Sequence, residues 1–369
     1  MHGTARFAWT CGWPLLGALA CDARPPSPTP DPPPLIPAAS PRPPTPHPQP
    51  VEPRLDPWRD IEGRAEWVGF RDDEFLLVAR QRGDDGLGEY VVATGALQAA
   101  IATPPWSGAP AAWSSSAGLL AFSSDTEVVL RRWDGAAEDR SLAFAAPSAL
   151  AFSPTGDRLA ATGSQPGEAA HVALFATATG KRLTTLRPFG KQKLEYDSGY
   201  RLVPAFVGAD RLALLLANDT PADAVLAVGP AAKASGWQRV ALTAADSEWG
   251  AAPDLGLALA VSPDGATIFA GNYEAALHVH APASGGPPTP MPLTGGVITA
   301  IAGAPDGTWL AAAGEDGKLT VLALPSRAPL AEVPAPKQCV ALAVSPSGRH
   351  LAGACREQVR IWTVTWTTP

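Results

Sequence analysis

Residues 149–162 read ALAFSPTGDRLAAT. A small, apolar run climbs to Ser153, Pro154 to Asp157 carries the chemistry of a tight turn, and a second apolar run leaves it at Arg158. Apolar runs on both sides of a Pro/Gly turn describe a β-hairpin. Such a hairpin cannot cover its own two faces, so it needs neighbours of the same kind.

The neighbours are in the chain. Residues 257–271 read LALAVSPDGATIFAG, 298–313 ITAIAGAPDGTWLAAA and 340–354 VALAVSPSGRHLAGA, with weaker copies turning at Asp72, Ser115 and Gly208. With Asp72, Ser115, Pro154, Gly208, Pro263, Pro305 and Pro346 as a ruler, the intervals are 43, 39, 54, 55, 42 and 41 residues. A period of about 40 to 45 residues belongs to four-stranded blades set around an axis, so the expected fold is all-β, a seven-bladed β-propeller. In the third copy the strands are expected over 149–153, 158–162, 172–175 and 182–186, with Thr179-Gly180 in the last hairpin. Aligned third strands put Phe175, His280, Leu322 and Trp362 at one position, where a bulky group wedges one blade against the next. That packing has to hold the ring, because blades share almost no backbone hydrogen bonds.

TGKRLTTL (179–186) and QVRIWTV (358–364), together with the period, resemble the third and fourth strands of the WD-repeat propeller family, and the resemblance covers Trp58 to Pro369. The copies are degenerate. None has the Gly-His pair, and only Arg132-Trp133-Asp134 keeps the Trp-Asp dipeptide, so the buried Asp-His-Ser/Thr-Trp network that the family implies is not supported by these residues. The seventh copy stops after three strands, and Leu55 to Ile61 is the natural donor of the fourth. Pro57 is tolerated there, since an outermost strand leaves one row of N–H groups unpaired.

Upstream, composition changes twice. Residues 1–20 carry Arg6 and then an apolar run, the form of an export signal and too short to span a bilayer comfortably. Leu15-Leu16-Gly17-Ala18-Leu19-Ala20-Cys21 resembles a bacterial lipobox, which implies lipidation of Cys21 and removal of the signal peptide; Ala18-x-Ala20 also fits ordinary cleavage and secretion. Residues 21–54 then hold the lipid-attachment cysteine and a proline-rich linker, expected to be disordered or extended at about 3.1 Å per residue, and 55–369 the propeller. A stalk of that kind suits a chain tethered by acyl groups.

Loss of Cys11 with the signal leaves Cys21, Cys339 and Cys355; if Cys21 is acylated, the other two form a pair. Both are equidistant from Ser347, so a hairpin of that register sets them opposite each other, as a disulfide or as two buried thiols. The mature chain carries 27 basic against 35 acidic residues and no basic run interleaved with aromatics, which argues against nucleic acid.

Chemistry in such a ring is expected where the inner strands begin. Those starts read Ala65-Glu66, Pro110-Ala111, Ser148-Ala149, Val203-Pro204, Gly256-Leu257, Val297-Ile298 and Cys339-Val340, so Glu66 is the one titratable group there. Neither a carboxylate pair for acid-base work nor a His/Asp cluster for a metal emerges, so no catalytic residue, metal or cofactor is assigned. His278 and His280 share a strand face but lack a third ligand, and Asp264-Gly265 and Asp306-Gly307 read as turns rather than calcium ligands. The two long intervals place their surplus in 188–200 and 244–255. Lys191, Lys193, Tyr196 and Tyr200 on one, and Asp246, Glu248 and Trp249 on the other, have the composition of a partner-binding patch.

The expectation is a non-enzymatic, lipid-anchored propeller of a bacterial cell envelope, monomeric, acting as a protein-interaction platform with a protein partner. The alternatives are a lactonase-like hydrolase and a module binding an envelope glycan or other small ligand.

Overall fold

The computed structural model describes residues 52–80, 86–101, 110–124, 126–163, 168–190, 201–217, 224–242, 258–271, 276–293, 296–324 and 326–367. Among them are seven antiparallel sheets of four strands each. Six are built from consecutive strands: blade 1 from Ala65 to Ile101, blade 2 from Ala111 to Leu142, blade 3 from Ala149 to Leu186, blade 4 from Arg201 to Ala241, blade 5 from Ala258 to Pro292, and blade 6 from Ile298 to Pro334. Each inner strand lies beside the inner strand of the next blade, and that of blade 7 lies beside that of blade 1, which closes the ring.

Blade 7 takes Ala341–Val344, His350–Ala354 and Gln358–Thr367 from the end of the chain and its outermost strand, Glu52–Glu62, from the beginning. The register runs Leu55↔Val364, Pro57↔Trp362 and Ile61↔Val359, with Trp58 as the extra residue where the ladder shifts. Leu55, Ile61, Val359, Ile361, Trp362 and Val364 are all buried, so the closure is an apolar seam as well as a hydrogen-bonded one. Pro57 sits on the outermost strand, where its missing N–H removes no ladder bond on the open side.

The core has no single centre. The buried apolar residues fall into seven clusters, and each joins two neighbouring blades. Phe175, Leu322 and Trp362, each 1% exposed or less, occupy one third-strand position in blades 3, 6 and 7 and face the preceding blade. Their partners on the second strand, Leu159, Leu310 and Leu351, fix the equivalence, and Ile268 opposite His280 extends it to blade 5. In blade 4 the position is Gly229, where any Cβ would collide with Trp237, which fills the space from the hairpin beyond.

Blade 2 fills the position differently. Its wedge position is Arg131, opposite Leu120, with the guanidinium over the Phe122 ring. The Trp133-Asp134 dipeptide lies two residues further on, where Trp133 N–H bonds Gly118 O and Asp134 takes Arg132 and the Ala136 N–H. The dipeptide therefore closes a hairpin turn and does not hold a buried network. The Arg132 side chain and then the Ala136 N–H hold the Asp134 carboxyl at a pKa of about 2.

The turns at the opposite ends of the inner hairpins interlock. Ser116 Oγ donates to Pro154 O at 2.9 Å, Arg158 reaches Ala209 O and Asp210, and Asp73 of blade 1 accepts from Ser347 of blade 7. Polar contacts thus bridge three of the blade junctions on this face, while apolar packing joins every junction.

Candidate functional site

The inner strands begin around the axis of the ring, and among the described residues there three hydroxyls and one carboxylate are already engaged. Ser148 Oγ donates to Leu202 O in the next blade at 3.1 Å, and Thr162 Oγ1 shares that acceptor at 2.7 Å. Thr299 repeats the arrangement three blades on, donating to Cys339 O at 2.6 Å. These hydroxyls replace the backbone bonds that blades otherwise lack, and a proton acceptor that could make either one nucleophilic is absent from their hydrogen bonds. Glu66 stands at the equivalent place in blade 1, in an ion pair with Arg64 at 3.0 Å.

The fourth inner strand begins two residues earlier than its sequence suggested. It runs Arg201–Val207, so Arg201 joins Glu66 as a charged residue at the strand starts. Pro204 misplaces the start on paper because proline marks strand boundaries. In the structure it is a mid-strand residue opposite Leu214, which an innermost strand permits because its other edge has no ladder partner.

Inner strands carry an extra residue near the start. The ladder shifts between Ala65 and Trp67 in blade 1 and between Ile298 and Ala300 in blade 6. In blade 7 the register is Ala341↔Ala354, one residue away from a hairpin centred on Ser347, yet Cys339 and Cys355 are joined by a disulfide. Val340 is the residue that takes up the difference, as Glu66 and Thr299 do in their blades. Both cysteines are fully buried.

His278 and His280 are buried in the third strand of blade 5, and His280 occupies the wedge position. Burial holds both imidazoles below their ordinary pKa; the nearby Arg211 adds to the effect at His280, and the Gly286 carbonyl opposes it. Among the described residues there is no group of three or more His, Cys, Asp or Glu side chains placed to hold a metal ion. Asp264 accepts from Ser262 Oγ at 2.6 Å and Ala266 N–H at 2.9 Å, and Asp306 accepts from both groups of Thr308. Gly265 and Gly307 follow at φ 70° and 73°, so each aspartate serves its own turn. A cleft of 310 Å³ lies between these turns, over Phe269 and Leu324.

The candidate partner-binding residues Lys191, Lys193, Tyr196, Tyr200, Asp246, Glu248 and Trp249, and the candidate lipidation site Cys21, lie outside the described residues. The strands that bracket the two loops are described: Arg182–Leu186 and Arg201–Val207 around the first, Gln238–Ala241 and Ala258–Val261 around the second.

The fold and these strand starts define a WD-repeat-like seven-bladed β-propeller. The model of the WD domain, G-beta repeat matches residues 292–321, which lie mainly in blade 6. No curated protein sequence matches the chain. Among solved structures, hydrazine synthase from Kuenenia stuttgartiensis is similar, with a TM-score of 0.63 and 14% sequence identity, over 83% of this chain and 96% of that one. At that identity the likeness is one of fold.

Proposed function

We propose that this chain is a non-enzymatic, membrane-tethered propeller of a bacterial cell envelope that serves as a protein-interaction platform. The observation that carries the reading is the use made of polar groups where the inner strands begin. Ser148 and Thr299 tie neighbouring blades together, and Glu66 is engaged by Arg64 of its own blade, so these polar groups are already taken up within the protein. Binding then falls to the two long intervals, 188–200 and 244–255, whose Tyr196, Tyr200 and Trp249, beside Lys191, Lys193, Asp246 and Glu248, have the composition of a hot spot.

The lipobox-like run ending at Cys21 and the proline-rich stretch after it support the address: acyl chains at Cys21 would fix the N-terminus, and an extended linker would hold the ring away from the membrane. A disulfide between Cys339 and Cys355 fits an oxidising compartment.

Two measurements test the proposal in the native cell. Mass spectrometry of the N-terminal peptide should find a diacylglyceryl-modified Cys21 and nothing upstream of it; an unmodified mature N-terminus would remove the tether. Crosslinking in intact cells should recover a partner with the native chain and lose it with Tyr196→Ala/Tyr200→Ala/Trp249→Ala. Unchanged recovery would reject the loops as the binding surface.

A further inference from the structure

Each cysteine of the disulfide sits beside a cation in the sequence: Pro336-Lys337-Gln338-Cys339 on one side, Cys355-Arg356-Glu357 on the other. The bond therefore staples together two turns that are 16 residues apart in the chain, on the side of the ring where the inner strands begin. Between them and the third strand of blade 7 lies a cleft of 520 Å³, lined by Lys337, Gln338, Arg356, Glu357 and Arg360 among others. Three cations face one carboxylate there, on a chain whose formal net charge is −7.

The partners of these cations decide what is left over. Arg360 is held by Asp60 through two bonds of 2.7 and 2.8 Å, which compensates its charge. Arg356 Nη1 donates to Gln338 Oε1 at 3.0 Å, and a neutral amide compensates nothing. Lys337 has no hydrogen bond or ion pair from its ammonium among the described residues. Its stem passes Gly317, where an added Cβ would come within 3.3 Å of Lys337 Cγ.

Gln338 adds a second kind of observation. Its φ is 54°, in the left-handed region that side chains other than Gly, Asn and Asp seldom adopt. A glycine would serve a plain turn better. The glutamine keeps the strained backbone and uses its amide to orient Arg356, with the adjoining cystine fixing both residues. Strain kept in place by its surroundings is characteristic of binding sites.

We propose that this groove between blades 6 and 7 binds an acidic peptide segment, with Arg356 forking onto one carboxylate and Lys337 meeting a second as a point charge. The inference rests on the platform reading and names a chemistry for one of its partners. The amides of Gln338 and Gln358 beside the cations offer donors and acceptors to a peptide backbone, which a bare anion would not use.

The test is fluorescence anisotropy of a labelled hexaglutamate peptide with the full chain at low ionic strength. The peptide binds saturably, and Lys337→Glu/Arg356→Glu weakens binding at least tenfold. Lys181→Glu, an exposed control in a turn on the opposite face, leaves it unchanged. Raising salt weakens it as well, because the pairing groups are exposed. Both groove residues are on the surface, so an unchanged thermal midpoint shows that the double variant is folded. Absence of saturable binding, or equal affinity in the double variant, overturns the proposal. Displacement of the peptide by equimolar inorganic phosphate overturns it too, in favour of a small anion. Loss of peptide binding here with partner capture through the loops intact leaves the platform reading standing. Peptide binding by a chain that captures no partner in cells does the reverse.

Discussion

Asp73, in the first hairpin turn of blade 1, accepts hydrogen bonds from the hydroxyl of Ser347 at 2.7 Å and from its backbone N–H at 3.2 Å, across 274 residues of sequence. The first blade and the last meet at this pair on the face away from the strand starts, just as the strand Glu52–Glu62 joins them along the outer edge. A propeller is closed by contacts between the ends of its chain. Each of these contacts should therefore weigh on the whole ring.

Burial raises the Asp73 carboxyl, but hydrogen bonds from Ser347 and Ser345, with the His350 charge behind them, outweigh it and hold the pKa below the ordinary 3.8. A carboxylate depressed in the folded state stabilises above its unfolded pKa, and that stability is lost as pH falls through the folded value. Asp73→Asn should lower stability by about 1 kcal/mol at neutral pH, the worth of an ordinary hydrogen bond. It should also flatten the loss of stability below pH 4. Urea midpoints at pH 7 and pH 3 measure both.

Leu55 is the apolar anchor of the N-terminal strand, packed with Trp362 and Val364 against blade 6. Leu55→Ala should cost about 2–4 kcal/mol, the range for a buried leucine, although it lies outside every repeat. Thermal unfolding should remain a single transition at a lower midpoint, because the closing strand belongs to the same cooperative ring.

His280 occupies a wedge that Leu322 fills in the next blade. Its pKa is depressed chiefly by burial, so the unfolded chain takes up a proton more readily than the folded one and stability falls as pH drops below the unfolded value of 6.5. His280→Leu should hold stability constant or raise it at pH 7 and reduce the decline between pH 7 and 5. Denaturation midpoints across that range report the slope.

Gln338→Gly relieves a left-handed residue and should stabilise the fold by up to about 1 kcal/mol. Arg356 loses its amide partner in the same variant. A gain in midpoint accompanied by weaker peptide binding in the adjacent groove would show that the glutamine is kept for orientation.

Cys339→Ser/Cys355→Ser removes a bridge spanning 16 residues and should cost about 3 kcal/mol. Because both sulfurs are buried, reductant should act on the wild-type bond slowly under native conditions and quickly in urea. Thiol labelling with and without urea separates the two.

The ring was legible because its determinants are local and repeated. The hairpin turn at Pro154 recurs along the chain, four of its six intervals lying between 39 and 43 residues, and the strand Arg182–Leu186 falls where its pattern places it. Closure followed from counting: a last copy of three strands needs a fourth, and Leu55 to Ile61, just before the first blade, supplies it. The inner-strand bulges at Glu66 and Thr299 were not legible, since they follow the first paired residue of the strand and leave too short a run before them to show the change of phase. The Trp133-Asp134 dipeptide matches a motif, and the register set by Leu120 and Arg131 places it in the turn, in keeping with the missing network. The cationic groove was hidden because Lys337 and Arg356 are brought together by the disulfide, and Arg360 is compensated by Asp60 from the far end of the chain.

The N-terminal strand completes the seventh blade, and hydrogen exchange of the amides in residues 52–62 reads that closure out. The amides of this strand bonded across to Gln358–Thr367 should exchange as slowly as those of the second strand of blade 3, Arg158–Gly163. Exchange of residues 52–62 at the rate of an unfolded chain, with the other blades still protected, would mean that the ring closes without this strand.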